Sequence, residues 1–161
     1  MRALLASVLV LVTLPMASVP TGRAFGSVPG AGGRFLPTGT QASLEAEALR
    51  FARAWASGDT GTLARMMLRE GIRLHLQRQE HVGISPRQAR ASLDAFLENR
   101  AGGRTAVSRV SLVAGDSRQG FAEIQWSPRS MGDAGAVTFT VFVAFAREDE
   151  AWAVTEIRVL S

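Results

Sequence analysis

Few side chains in this sequence combine the type and spacing that chemistry needs. The chain carries two histidines (His75 and His81), 14 acids and three tryptophans, and it has no cysteine and no tyrosine. A carboxylate or an imidazole becomes a general base once it is held against a substrate. Glu123 and His75 are the candidates for that role. Glu123 lies mid-segment, on the same side as Phe121 and Gln125. His75 alternates with Ile72, Leu74 and Leu76, so it points away from their side. Asp94 and Glu156 are further acids in structured segments. The plainer reading of all these acids is a solvated face, because carboxylates are rarely buried unpaired.

Other chemistries lack their parts. Without cysteine there are no thiolate metal sites and no disulfides. His75 and His81 are not at a ligand spacing within one helix, and acids near them are sparse, so no metal site is expected. No serine sits in a G-x-S-x-G elbow. No cofactor is expected. Arg73, Arg78, Arg87 and Arg90 could form a shallow anion site, but they read more simply as solvated surface.

Aromatic residues carry more information. Phe51, Trp55, Phe96, Trp126, Phe139, Phe142 and Trp152 have the spacing of core residues. Trp55 ends a helical pattern and Trp126 ends a strand pattern, so both would stand at the rim of any pocket the fold leaves open. There the indole N–H groups would need polar partners, and a ligand could supply them. Met66 would add an adaptable wall, and Phe96 would complete the lining. The expected ligand-binding set is therefore Trp55, Met66, Phe96 and Trp126.

These residues must be positioned by regular elements. Ser43 reads as an N-cap with Glu45 and Glu47 in the first turn. Leu44, Ala48, Phe51, Ala52 and Trp55 then recur at helical spacing. Gly58 ends that helix, and Asp59 caps a short second one carrying Leu63, Met66 and Met67. Ile72 to Leu76 alternates as a half-buried strand, and a short extended segment is expected from Glu80 to Ile84. Ser85-Pro86-Arg87-Gln88 is a capping box with proline at the first helical position. The helix it opens buries Ala89, Leu93, Phe96 and Leu97. Thr105 to Val113, Phe121 to Trp126, Val137 to Ala146 and Trp152 to Leu160 read as four antiparallel strands. Ala114 to Gly120 reads as a turn, Ser127 to Ala136 as a loop, and Arg147 to Glu150 as a tight turn. The class is α+β, with helices packed on one face of a sheet.

The N-terminus has a different pattern. Met1-Arg2 is followed by an apolar run from Ala3 to Leu14, then Pro15 and small residues at Ala17, Ser18, Gly22 and Ala24. That order marks a secretory signal peptide. The run is shorter than the roughly 20 residues that span a bilayer. Cleavage is expected between residues 17 and 25, with the product exported to the periplasm or beyond. Residues 1–24 are thus signal, 25–41 a Gly/Pro-rich linker, and 42–161 one domain. About 135 residues are enough for a core without covalent staples.

All 18 basic residues are arginine, and the formal net charge is +4. Arg2 and Arg23 fall in the signal, so the remainder is close to neutral. With acids interleaved throughout, no basic stripe exists for nucleic acid. No membrane contact is expected beyond the signal segment.

Taken together, Phe51-Ala-Arg-Ala-Trp55, Ser57-Gly-Asp59 with Leu63, the Ile72–Leu76 strand, Gly83, the capped Pro86–Leu97 helix and Trp152-Ala-Val-Thr-Glu-Ile157 resemble the nuclear transport factor 2-like superfamily. This group includes ketosteroid isomerases and polyketide-cyclase-like proteins. The resemblance spans about residues 43–160. It implies a cone, with a strongly curved antiparallel sheet wrapped around three helices and a pocket at the open end. It also implies frequent dimerisation through the outer sheet face. Isomerase chemistry would need an oxyanion donor, often tyrosine, and this chain has none. The expectation is a non-catalytic exported domain that binds a small apolar ligand or a protein partner. The alternatives are an isomerase, dehydratase or cyclase using Glu123 or His75, and a dimeric interaction module of the cell envelope.

Overall fold

The computed structural model describes residues 39–98, 100, 102–129 and 137–161. The expected signal, most of the expected linker and most of the Ser127–Ala136 loop lie outside the described residues.

Helix α1 (Gly39–Ser57) buries Leu44, Ala48, Phe51, Ala52, Ala54 and Trp55. This is the apolar stripe set by the i, i+4, i+7 spacing. The helix starts at Gly39, inside the expected linker, so Ser43 is not its N-cap. The Ser43 hydroxyl instead donates to the Thr40 carbonyl at 2.8 Å. The added turn is held from outside: the Gln41 amide donates to the Val110 carbonyl at 3.3 Å and to Glu45 Oε1 at 2.8 Å.

Gly58, with φ 71°, closes α1; a left-handed residue at this point suits glycine. Asp59 then caps α2 (Thr60–Arg65), its carboxylate accepting from the Thr62 N–H at 2.9 Å. Strands β1 (Ile72–Leu76) and β2 (Gln79–Ile84) form a hairpin. Helix α3 (Pro86–Leu97) opens on the expected capping box of Ser85 and Gln88.

Four long strands follow: β3 (Arg104–Val113), β4 (Asp116–Ser127), β5 (Phe139–Glu148) and β6 (Ala151–Leu160). The expected turn over Ala114–Gly120 shrinks to Ala114-Gly115, with Gly115 at φ 81°. Asp116 to Gln119 belong to β4 although their side chains are polar. They extend the hairpin past the core, where neither face needs apolar residues.

The sheet order is β2-β1-β6-β5-β4-β3. All pairings are antiparallel except β1 with β6, where Leu74 lies beside Ile157. Register shifts in β3–β4 and β5–β6 are the kind of bulge that bends a sheet. The inner face presents Leu74, Leu76, Ala122, Ile124, Trp126, Val141, Val143, Phe145, Val154, Ile157 and Val159, all buried. Helix α1 covers β3 and β4, and α3 covers β1. The result is the α+β cone expected from the sequence, with one parallel pairing in its sheet. Truncating a core residue such as Leu74 to alanine typically costs about 2–5 kcal/mol.

Candidate functional site

Two apolar stripes would close the cone completely if α3 were apolar all round, but it is not. Ala89, Leu93 and Leu97 form its buried row. The adjacent row is Ala91, Ser92 and Ala95, small side chains that fill little space against the β1–β2 hairpin. Between them opens a cleft of about 1390 Å³, bounded also by the tip of the hairpin, Arg100 and the last residues of β6. Ligand sites commonly enclose about 300–1,000 Å³; this one is larger because it is open to solvent on one side.

Phe96 lies on the seam between the two rows of α3. It is three residues beyond Leu93 in the buried row and four beyond Ser92 in the cleft row. It is half-buried and lines the cleft. Its ring centroid is 6.3 Å from that of Trp55 and 6.0 Å from that of Trp126. Arg100 sits over the Phe96 ring at 4.7 Å and donates through Nη1 to the Phe96 carbonyl at 2.7 Å. That pairing fixes a guanidinium at the cleft wall with most of its five N–H donors uncommitted to the backbone.

The hairpin supplies the rest of the polar wall. Its two-residue turn, Gln77-Arg78, puts Leu76 opposite Gln79, His75 opposite Glu80 and Leu74 opposite His81. Directly paired residues share a face, so His81 lies on the inner side with Leu74. It lines the cleft together with Arg78. His75 is on the outward face near the hairpin tip. Its Nε2–H donates to the Gln77 carbonyl at 3.0 Å, because a carbonyl can only accept. The rim thus carries Arg78, Arg100, His75 and His81 against one acidic side chain, Glu80.

The expected site residues divide. Phe96 lines the cleft. Trp55 and Trp126, expected at a rim, are fully buried, and Met66 is 3% exposed. Trp55 ends its stripe under the sheet: it stacks on Phe51 at 5.7 Å and meets Trp126 edge-on at 5.5 Å. Met66 is held by strand-like pairing of its backbone, with the Val154 N–H donating to its carbonyl at 2.7 Å.

Glu123 does not reach the cleft. It alternates with the buried Ala122 and Ile124 and lies on the outer face, 4.0 Å from Arg109. Three inter-strand gaps, about 14 Å, separate its strand from that of His75. The two alternative bases therefore lie apart, with His75 at the cleft rim and Glu123 away from it. Asp94 accepts from the buried Thr60 hydroxyl at 2.5 Å and pairs with Arg90, tying α2 to α3 on the far side from the cleft. Glu156 pairs with Arg73 and Arg158 on the outer face. Among the described residues, no group of three or more histidines and acids converges in a way that could hold a metal ion. No helix among them is long and apolar enough to cross a membrane.

Sequence reasoning missed His81 and Arg100. Counting back from a two-residue turn would have placed His81 opposite Leu74. The turn, however, lacks the Asn-Gly or Asp-Gly pair that marks such hairpins. Arg100 follows the end of α3, where no periodicity assigns a face.

No family model matches the sequence, and no curated protein matches it. Solved structures do match. A scytalone dehydratase-like protein from Novosphingobium aromaticivorans superposes with a TM-score of 0.59 at 9% identity, over 73% of this chain and 80% of its own. A DUF4783 family protein from Bacteroides ovatus gives 0.56 at 14% identity, over 68% and 89%. A designed protein, Rd1NTF2_04 with a long sheet, gives 0.58 at 9% identity, over 73% and 99%. The chain therefore has a nuclear transport factor 2-like fold, the architecture that the sequence resemblance implied. Identities this low speak to the backbone alone.

Proposed function

We propose that this domain binds a small, largely apolar molecule at the open end of its cone and performs no chemistry on it. The observation that carries the proposal is the cleft left by Ala91, Ser92 and Ala95 on α3, with Phe96 as its apolar wall. The concentration of Arg78, Arg100 and the two imidazoles at its rim favours a ligand with a negatively charged end. A fatty-acid-like carboxylate satisfies both requirements. The pattern of residues 1–24 supports placing the domain outside the cytoplasm. Recovery of a protein starting between residues 17 and 25 from the periplasm would test that location.

The binding reading is tested by titrating decanoate into the full chain, followed by calorimetry. Saturable binding that weakens at least tenfold in Arg100→Gln is expected. No binding to wild type sinks the reading.

One observation favours a second surface. Phe121 and Phe142 stack at 5.4 Å on the outer face, half-buried, with Arg109–Glu123 at one flank and Glu156–Arg158 at the other. An aromatic pair framed by opposite charges suits a second copy of the same face. Light scattering decides: a dimer that Phe142→Glu converts to monomer supports this, and a monomeric wild type opposes it.

A further inference from the structure

Two buried donors in the core are left over by every interaction described above. Trp55 and Trp126 are both fully buried, and neither indole Nε1–H has a hydrogen-bond partner. Buried tryptophan N–H groups usually find an acceptor, and a buried donor without one is destabilising. The third tryptophan follows the rule, with Trp152 donating to Ser43 at 3.0 Å. The perpendicular packing of Trp55 on Trp126 lets one indole present its edge to the other's face. That arrangement satisfies at most one of the two. Their other ring neighbours, Phe51, Phe96 and Phe139, hold no acceptor oxygen or nitrogen in their side chains.

Only one of these neighbours separates the pair from the cleft described above. Phe96 contacts both indoles and also lines the open space. A rotamer change that swings its ring into the cleft would vacate a space of one aromatic ring against the two indoles.

We infer that Trp55 and Trp126 form a hidden subsite for a ligand ring bearing a hydrogen-bond acceptor such as a carbonyl, entered by displacement of Phe96. The inference rests on the cleft being a ligand site and adds the chemical class of the group that penetrates furthest. The ligand ring replaces the Phe96 ring against the indoles, and its carbonyl oxygen accepts from Nε1–H. An isosteric hydrocarbon fills the same space and supplies no acceptor to either donor. Discrimination by such a site exceeds what apolar contact gives, because the penalty falls on groups already buried.

The test uses the full chain with ¹⁵N-labelled tryptophan and two probes of matched shape, acetophenone and isopropylbenzene. The three indole resonances are assigned through Trp55→Phe, Trp126→Phe and Trp152→Phe. Acetophenone is expected to bind at least tenfold more tightly than isopropylbenzene. It should move the Trp55 or Trp126 indole proton downfield while leaving Trp152 in place, and Phe96→Ala should tighten its binding. Equal affinities with no indole shift overturn the inference. So does failure of acetophenone to bind wild type and Phe96→Ala, and so does a long-lived internal water detected on these protons in the free protein. Binding of decanoate is unaffected by any of those failures, so the cleft reading stands or falls separately.

Discussion

Trp152 donates its indole N–H to the Ser43 hydroxyl at 3.0 Å, joining the last strand to the first helix across 109 residues of sequence. Trp152 is 7% exposed, so water cannot readily replace the acceptor. Ser43→Ala should therefore destabilise the domain by about 1–2 kcal/mol through the stranded donor. The better helix propensity of alanine offsets about 0.5 kcal/mol of this. Urea unfolding of Ser43→Ala beside Ser43→Thr, which keeps the hydroxyl, measures the difference. Equal loss in both would remove the hydrogen bond as the cause.

Two glycines should respond to alanine with opposite signs. A Cβ on Gly103 would overlap the Ser127 carbonyl oxygen and lie 2.6 Å from Pro128 Cα, and both obstacles are backbone. Gly103→Ala should cost about 1–3 kcal/mol. On Gly61, inside α2, the nearest atom to a Cβ is Asp59 Oδ1 at 3.4 Å. Gly61→Ala should stabilise by about 0.5 kcal/mol through helix propensity. Thermal unfolding of the two variants side by side is sufficient. Two shifts of the same sign would contradict the packing described.

Asp59 predicts a pH dependence. Its carboxylate accepts from the Thr62 hydroxyl and the Thr62 N–H, and these bonds hold its pKa below the ordinary value of 3.8. A lowered folded pKa contributes stability that is present above 3.8 and is lost as pH falls through the folded value. An asparagine side chain at this position would cap the helix without a charge. The Tm margin of wild type over Asp59→Asn should thus be widest near neutral pH and shrink steadily in the acid range below 3.8. A margin that stays constant through that range would contradict the assignment.

Glu123 offers a negative control. It sits on the outer face, its side chain 35% exposed, with Arg109 at 4.0 Å. Exposed ion pairs of this kind contribute about 0–1 kcal/mol. Glu123→Gln should leave decanoate affinity unchanged and stability within about 1 kcal/mol of wild type. A loss of binding by tenfold or more would place the carboxylate in the site after all.

Elements with a local signal were legible and elements fixed by tertiary pairing were not. The capping box at Ser85–Gln88 and the apolar stripe of α1 are written in neighbouring residues, and both occur where the spacing put them. The alternation set His75 apart from Leu74 and Leu76 and grouped Glu123 with Phe121 and Gln125, and the strands keep both groupings, each on the outward face. The start of α1 was misplaced because its first turn is anchored by Val110, some seventy residues away. Trp55 and Trp126 looked like rim residues because each ends its element. Whether an element's end is a rim depends on what lies beyond it, and here each tryptophan is capped by the other and by Phe96. The cleft itself comes from small residues on α3, and small residues leave no periodic mark.

The parallel pairing of β1 with β6 sets the order of events in time. Leu74 meets Ile157 only after more than eighty further residues have been made. Until then β1 has an open edge, and the apolar stripes of α1 and α3 lack most of the sheet that will cover them. Contacts of such long sequence separation slow folding. Translation alone cannot complete this domain while its C-terminal strand is still inside the ribosome.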